Sequence, residues 1–576
     1  DILSPSELIS TDAGYKPANK VKGVYELPPG YEMAGGTSTA GPSASAAVTL
    51  LISAARQEHV PYDEQRIRTA LLSTARFLPR LQAYQQGNGL VQVNAAWKML
   101  QQLRDKWDPI TIISSAPVHT EYSQYLNPAN SGPGIFEREG WSAHQKETRI
   151  ITFARTSGPS EPIRFDLKWV GNHGAFSSAD SITLPLNQPV SLPVAIETGD
   201  AGVYSAILNL ERPGYPGIAY QVLNTVVAAH DFNPANSFTI HSQIDAPRPG
   251  VVSTFYRVPK GTPALRIHLA IPNHKPTLRV MAFAPDLDNQ LAFDLLGMTE
   301  KGYLDKVIEN PTPGVWEVEL WDNNFVFDPS QIDSKPLKPV AADLTVSTVG
   351  ISAAGHTPSP ASAGKASTVS FVNNLAPILA SIHSFPLASR SSSAKKINEG
   401  EQQIVDLDVP EGAKQLIARI GSAAVPGSDL DLYVYEIVNG KAILRGQGDG
   451  PTSDETVIIP DPGAGKWKIV IDGFRLPSGP TAFHYEDLLF HPAFGSIEVE
   501  DKPALRSHGA TWSASAHIDL RATPGAGRSL AAELPVIADA PSGEPGPTVP
   551  LSLLKKDAVP VPAVLGSTTL TTGGSK

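Results

Sequence analysis

At 576 residues the chain is several times the usual domain length of about 100–150 residues, so three to five domains are expected. Its composition is globular, 41% hydrophobic and 18% charged, and 57 acidic against 46 basic residues leave a net charge of −11, which excludes the extended positive field needed to hold nucleic acid or an anionic membrane surface. The absence of cysteine excludes disulfides, thiolate metal sites and a cysteine nucleophile, while 52 prolines favour many short strands.

The chain opens on Asp1 with neither a basic nor an apolar leader segment. An export signal is therefore expected to be already removed or to lie outside this segment, and the lack of an initiating Met reads as a processed chain or a fragment. The longest strongly apolar run, Ala46 to Ala55, falls far short of the ~20 residues of a bilayer span, so no membrane helix is expected.

Helical signals come first. After Pro42, the apolar positions Ala46, Val48, Leu50, Leu51 and Ile52 predict a helix apolar nearly all round, as a buried helix is. A second helix is predicted over Tyr62 to Ala75, started by Asp63 and Glu64 at its positive end, and a third over Val93 to Leu103, after the turn Gly87-Asn88-Gly89. Beyond Trp107 the period changes to two: "RIITFART", "IRFDLKWV", "YSAILNL" and "YQVLNTVVAA" are sandwich strands between Gly, Pro and Asn clusters. Residues 107–229 are expected to form one all-β domain.

An internal repeat follows. Val258-Pro259-Lys260-Gly261 returns as Val409-Pro410-Glu411-Gly412, and the strand around Trp316 (PGVWEVELWD) returns around Trp467 (GKWKIVIDG). Both pairs of anchors are 151 residues apart, which predicts a duplicated β module, assigned to 230–380 and 381–540. In each copy the strand ends at an Asp, Asp322 or Asp472. Residues 541–576 are rich in Pro, Gly, Ser and Thr and read as a disordered tail or linker.

The opening stretch carries the chemistry. A serine at the N-terminal end of a buried helix lies beside unpaired backbone N–H groups that can hold a developing oxyanion, and the helix dipole favours negative charge there. Gly35 and Gly36 let the chain turn sharply before Ser38, and Ala40, Gly41, Ser43, Ala44 and Ser45 permit close packing of the first turns. The same residues also suit a plain capping turn, in which Thr37 or Ser38 accepts from helix N–H groups.

Gly36-Thr37-Ser38-Thr39-Ala40-Gly41-Pro42 resembles the G-T-S-x-A-x-P nucleophile motif of the subtilisin-like serine peptidases, the subtilases, with Thr39 where Met is common. Gly87-Asn88-Gly89-Leu90-Val91-Gln92-Val93-Asn94-Ala95-Ala96 resembles the G-x-G-x-V-[DN]-A-x-x-A segment that closes the subtilase domain. The stretch GIFERE at Gly134–Glu139, Trp169-Val170 and the strand pair "GVYSAILNL" and "YQVLNTVV" are similar to the β region of the tripeptidyl-peptidase II-like branch. "SDLDLYVYE…PGAGKWKIVIDGF" is similar to the pre-peptidase C-terminal type of β-sandwich.

The resemblance implies a multidomain chain: the C-terminal part of an α/β subtilase domain (1–106), followed by several all-β sandwich domains. It implies Ser38 as the nucleophile that attacks the scissile carbonyl and its backbone N–H as one oxyanion donor. The family's catalytic Asp, His and oxyanion Asn precede the serine, and only 37 residues do so in this sequence. Asp12-Ala13-Gly14 superficially resembles the aspartate motif but lacks an apolar strand to deliver it. His173-Gly174 and His508-Gly509 resemble the start of the histidine motif, yet both follow the serine. All three read as turn residues, and the isolated chain is expected to be a very poor enzyme, since a serine needs a general base.

Asp429 and Asp431 in "GSDLDLY", and Asp286 and Asp288 in "APDLDNQ", have the alternate spacing that places two carboxylates on one strand face, where calcium could be held. Solvated acids capping strand ends is the favoured reading, so no cofactor is assigned, and structural calcium is the alternative. Trp316, Trp321, Trp467 and Trp512 could form an aromatic platform for a sugar or peptide, although a single Trp per sandwich is usually core. No histidine pair has zinc spacing.

The resulting expectation is a serine endopeptidase or tripeptidyl-peptidase acting on a peptide or protein substrate, with the N-terminal part of its domain as a partner. The specificity strands precede the nucleophile, so the sequence names no substrate. The sequence leaves the oligomeric state open, although relatives in the tripeptidyl-peptidase II branch assemble and an oligomer is possible, and the appended sandwiches point to an extracellular or periplasmic location, with a cytoplasmic one as the alternative. The rival reading is a non-catalytic binding or assembly protein in which the sandwiches carry the function.

Overall fold

The structure is a computed structural model. It describes residues 2–5, 7–11, 20–21, 25–247, 250–271, 278–285, 295–298, 303–309, 311–322, 338–354, 366–450, 452–539 and 559–562. The chain divides into two compact units: 1–230 with 248–255 and 322–338, and 231–247 with 256–321 and 339–576.

In the first unit a strand, Tyr31–Gly35, pairs antiparallel with Glu7–Thr11 and leads directly into helix α1, Thr37–Gln57. Gly36 makes the junction with φ 121°, a region that L side chains rarely adopt. Helices α2 (Glu64–Thr74), α3 (Ala83–Gln86) and α4 (Val93–Lys106) follow. Asp63 caps α2, its carboxylate accepting from the Arg66 N–H at 2.8 Å, as the sequence predicts. Leu51, Ala55, Ile67, Ala70, Leu71, Ala96 and Leu100 close the core among these helices. Between α3 and α4, Gly89 runs so close to the chain that an added Cβ would lie 2.2 Å from the Arg76 carbonyl oxygen. That approach lets Leu90 bridge both Arg76 and Leu3.

One expectation for α1 fails. The helix buries Ala47, Leu51 and Ala55, but Leu50 is 61% exposed and Ala46 is exposed too. Composition records that a helix is apolar, not what covers it, and among the described residues this face has no cover.

The remainder of the first unit is a β-sandwich. One layer joins Ile112–His119, Lys146–Arg155 and Pro189–Glu197; the other joins Ser181–Leu184, Ile163–Val170, Gly202–Glu211 and Ile218–Asp231. Trp141, Ile151, Phe153, Phe165, Leu208 and Val226 fill the space between. Glu137 of the GIFERE stretch is buried, accepting from the Trp141 indole N–H and, at 2.6 Å, from Arg149 Nε. A buried carboxylate matched in this way locks the strand, because removing either donor would strand the charge.

The second unit contains the duplicated module. Ala264 pairs with Glu309 in the first copy and Gln415 with Pro460 in the second, so the register repeats along with the sequence. Trp316 and Trp467 are both core residues, 0% and 2% exposed. Each indole N–H donates to the carbonyl four residues earlier, Thr312 at 2.8 Å and Gly463 at 2.9 Å. The second copy packs the sheet of Gln402–Val409, Gly465–Arg475, Asp429–Val438 and Lys441–Gly448 over Leu416, Ile420, Leu432, Ile469 and Tyr485. Strands from both sides of it in sequence, among them Ala366–Val372, Ile378–Ile382, Gly495–Glu500 and Thr511–Leu520, build a further core around Phe371, Ile378, Ile382, Ile497 and Ala514. Most of the C-terminal stretch lies outside the described residues; within it Val559–Pro562 is a strand paired with Pro535–Asp539.

Candidate active site at the start of helix α1

Ser38 is the second residue of α1 and is exposed to solvent. The turn that delivers it is held from within: the Gly36 carbonyl accepts from the Thr39 hydroxyl at 2.7 Å and from the backbone N–H groups of Thr39 at 3.0 Å and Ala40 at 3.1 Å. The N-cap is Gly36, which has no side chain to satisfy the helix. Among the described residues nothing hydrogen-bonds to the Ser38 hydroxyl, nor accepts from the Thr37 or Ser38 N–H. Capping by Thr37 or Ser38 is thus not seen. What stands there instead is a hydroxyl next to open donors at the positive end of a 21-residue helix. Pro42 lies inside α1 and, having no N–H, leaves the Ser38 carbonyl without its usual intrahelical donor.

Among the described residues no other sequence candidate hydrogen-bonds to Ser38. His173 is exposed in a turn of the β-sandwich. His508 belongs to the second unit, with Nδ1 3.3 Å from the Leu375 carbonyl and its ring 5.1 Å from that of Phe238. Asp12, Asp286 and Asp288 lie outside the described residues.

The carboxylates of "GSDLDLY" depart from the solvated reading. Asp429 and Asp431 are 2% and 5% exposed. Period-two alternation places Asp429, Asp431 and Tyr433 on one strand face, and the strand register sets Asp431 opposite Asp472. The Tyr433 hydroxyl donates to Asp431 at 3.0 Å, while Gln402 donates to Asp472 and Gln447 to Asp449, each at 2.8 Å. Burial, reinforced by the charges of Asp429, Asp449 and Asp472, pushes the Asp431 carboxyl up to about 7 even though the Tyr433 hydrogen bond opposes this. Among the described residues no three acid or histidine side chains converge on a point that could hold a metal ion. The sequence contained the Asp-x-Asp-x-Tyr alternation and the repeat's terminal Asp472, but not their meeting. Among the described residues the tryptophans form no exposed platform: Trp316 and Trp467 are core, Trp321 is part-buried with the Arg279 guanidinium 5.3 Å from its ring, and Trp512 is part-buried between Phe371 at 5.4 Å and the Arg506 guanidinium at 4.2 Å.

Residues 113–228 match the model of an Ig-like domain in actinomycete serine proteases. Over 473 residues, 79% of this chain, the sequence is 27% identical to pyrolysin of Pyrococcus furiosus. These matches bear out the resemblance to the C-terminal portion of the subtilisin-like serine peptidases. A shorter match, 28% identical over 119 residues, is to tripeptidyl-peptidase 2 of Caenorhabditis elegans. A solved structure of tripeptidyl peptidase 2 aligns with 94% of this chain and 47% of its own length, at 14% identity and a TM-score of 0.47. The chain spans 32% of pyrolysin and 8% of the nematode peptidase. No helix among the described residues is long and apolar enough to cross a membrane.

Proposed function

We propose that this chain supplies the nucleophile of a serine peptidase, with Ser38 forming the acyl-enzyme and its own N–H serving as one oxyanion donor. The observation that carries this reading is the exposed Ser38 hydroxyl at the N-terminus of α1, without a hydrogen-bond partner among the described residues. In the attack, the Ser38 oxygen adds to the scissile carbonyl, its proton passes to a general base, and the tetrahedral oxyanion forms beside the helix N–H groups.

The general base, its aspartate partner and the oxyanion Asn come from a further segment of the peptidase, which with residues 1–106 completes an α/β domain. The uncovered face of α1 around Leu50 supports this, since an apolar helix face gains about 25 cal/mol per Å2 when covered. The substrate is a peptide or protein outside the cell, cleaved endoproteolytically or from its end.

The test is labelling of the peptidase, complete with that segment, by a fluorophosphonate probe. Adduct mapped by mass spectrometry to Ser38, and lost in Ser38→Ala, is the expected result. A folded, complete protein that leaves Ser38 unlabelled would transfer the function to the β-sandwiches as binding or assembly modules.

A further inference from the structure

Within the first unit an open cleft of about 450 Å3 lies where α2, the segment after α4 and the tip of the Gly202–Asp231 hairpin meet. Its chemistry comes from Arg68, Trp107, Asp108, Arg212, Tyr215 and Tyr220. The volume falls within the range of about 300–1,000 Å3 found for small-ligand pockets.

Two features define what fits. The first is an aromatic wall: the Trp107 and Tyr215 rings are 6.4 Å apart at 38°, and the Arg66 guanidinium covers the indole at 4.8 Å. The second is a charge imbalance. Asp108 is matched by Arg212 at 2.6 Å and Asp63 by Arg66, whereas exposed Arg68 has no partner among the described residues. The cleft therefore carries one uncompensated positive charge on a chain of net charge −11. Burial, then Asp108, pushes the Tyr215 phenol up to about 12, so at neutral pH it remains a hydrogen-bond donor.

A single free guanidinium matches a planar monoanion, which it engages through two parallel N–H bonds. A phosphate dianion would leave charge uncompensated. We propose that this cleft binds the free C-terminal end of a peptide, its carboxylate on Arg68 and its last, aromatic side chain against Trp107 and Tyr215. The site shares no residue with the start of α1, and it stands or falls independently of Ser38.

Calorimetric titration of the full chain with acetyl-Gly-Phe, its C-terminal amide, acetyl-Gly-Ala and acetate tests this. The acid should bind about tenfold or more tightly than the amide and more tightly than acetyl-Gly-Ala, with no heat from acetate alone. Arg68→Gln, with an unchanged circular dichroism spectrum, should erase the preference for acid over amide, and Ser38→Ala should leave binding as it was. Equal affinity for acid and amide, no binding at millimolar ligand, a preference that survives Arg68→Gln, or loss of binding in Ser38→Ala would each overturn the proposal. None of these outcomes bears on fluorophosphonate labelling, so the two readings fail separately.

Discussion

Asn88 and Gln221 exchange their amides: Asn88 Nδ2 donates to Gln221 Oε1 and Gln221 Nε2 donates to Asn88 Oδ1, both at 2.9 Å. The pair ties the Gly-Asn-Gly turn ahead of α4 to the β-sandwich, next to a 2.9 Å bond from the Ile218 N–H to Ser73 Oγ on α2. Gln221 also donates to Asn209 at 3.0 Å. Truncating one amide takes both exchanged bonds from its half-buried partner, so Asn88→Ala and Gln221→Ala should each cost about 1–3 kcal/mol. The double variant should lose less than the sum of the two, and denaturant unfolding of the four proteins in the cycle measures the difference.

Gly36 and Gly41 bracket Ser38 and should respond oppositely to alanine. An added Cβ meets nothing within 4 Å at either position, so space does not decide the outcome. Gly36 has φ 121°, and Gly36→Ala should cost about 1–3 kcal/mol of backbone strain and depress Ser38 labelling. Gly41 lies inside α1, where alanine should stabilise by up to about 1 kcal/mol. Thermal unfolding together with labelling rates checks both.

The Asp431 cluster predicts a pH dependence of definite sign. The carboxyl is raised to about 7 in the folded chain, against roughly 3.9 for an unfolded aspartate. The folded state thus holds the proton more tightly; stability is full below about pH 4 and declines as pH rises through about 7. Asp431→Asn, which keeps an acceptor for Tyr433, should flatten that decline. It should be nearly neutral at pH 4 and stabilising by on the order of a few kcal/mol at pH 8, as read from unfolding curves at the two pH values.

Arg155 is 0% exposed and spends its guanidinium on carbonyls: Leu184 at 3.1 Å, Ser157 at 2.9 Å, Pro159 at 2.7 Å and Glu161 at 2.8 Å. No point charge can serve four acceptors spread in this way, so Arg155→Lys should be as damaging as a truncation, roughly 3 kcal/mol or more. Chemical denaturation compared with Arg155→Met tests whether the fork or the charge matters.

How much of this was legible in the sequence differs from residue to residue. Asp63 before an apolar-periodic stretch marks the α2 cap, because capping is a local event. The Val258 and Val409 turns together with Trp316 and Trp467 mark the repeat, because two pairs of anchors with one offset need no tertiary knowledge. Ser38 was legible as a residue at the mouth of a helix, but its freedom from capping bonds required coordinates. The bare face around Leu50 was not legible, since hydropathy cannot name a neighbour. Nor was the burial of Asp429 and Asp431: alternation fixes their shared face, while Asp449 and Asp472 arrive from other strands. The Asn88–Gln221 exchange depends on a turn meeting a strand distant in sequence, and nothing local foretells it.

The second copy of the repeated module sits in sequence between strands that belong together elsewhere. Phe371 pairs with Trp512, so when a ribosome releases the earlier residue its neighbour has not yet been made. The intervening module can collapse by itself as it emerges, but the strand around Phe371 must wait as an unsatisfied edge. Synthesis order and assembly order therefore part company in this half of the chain, and the waiting strand is where a holding chaperone would have most to do.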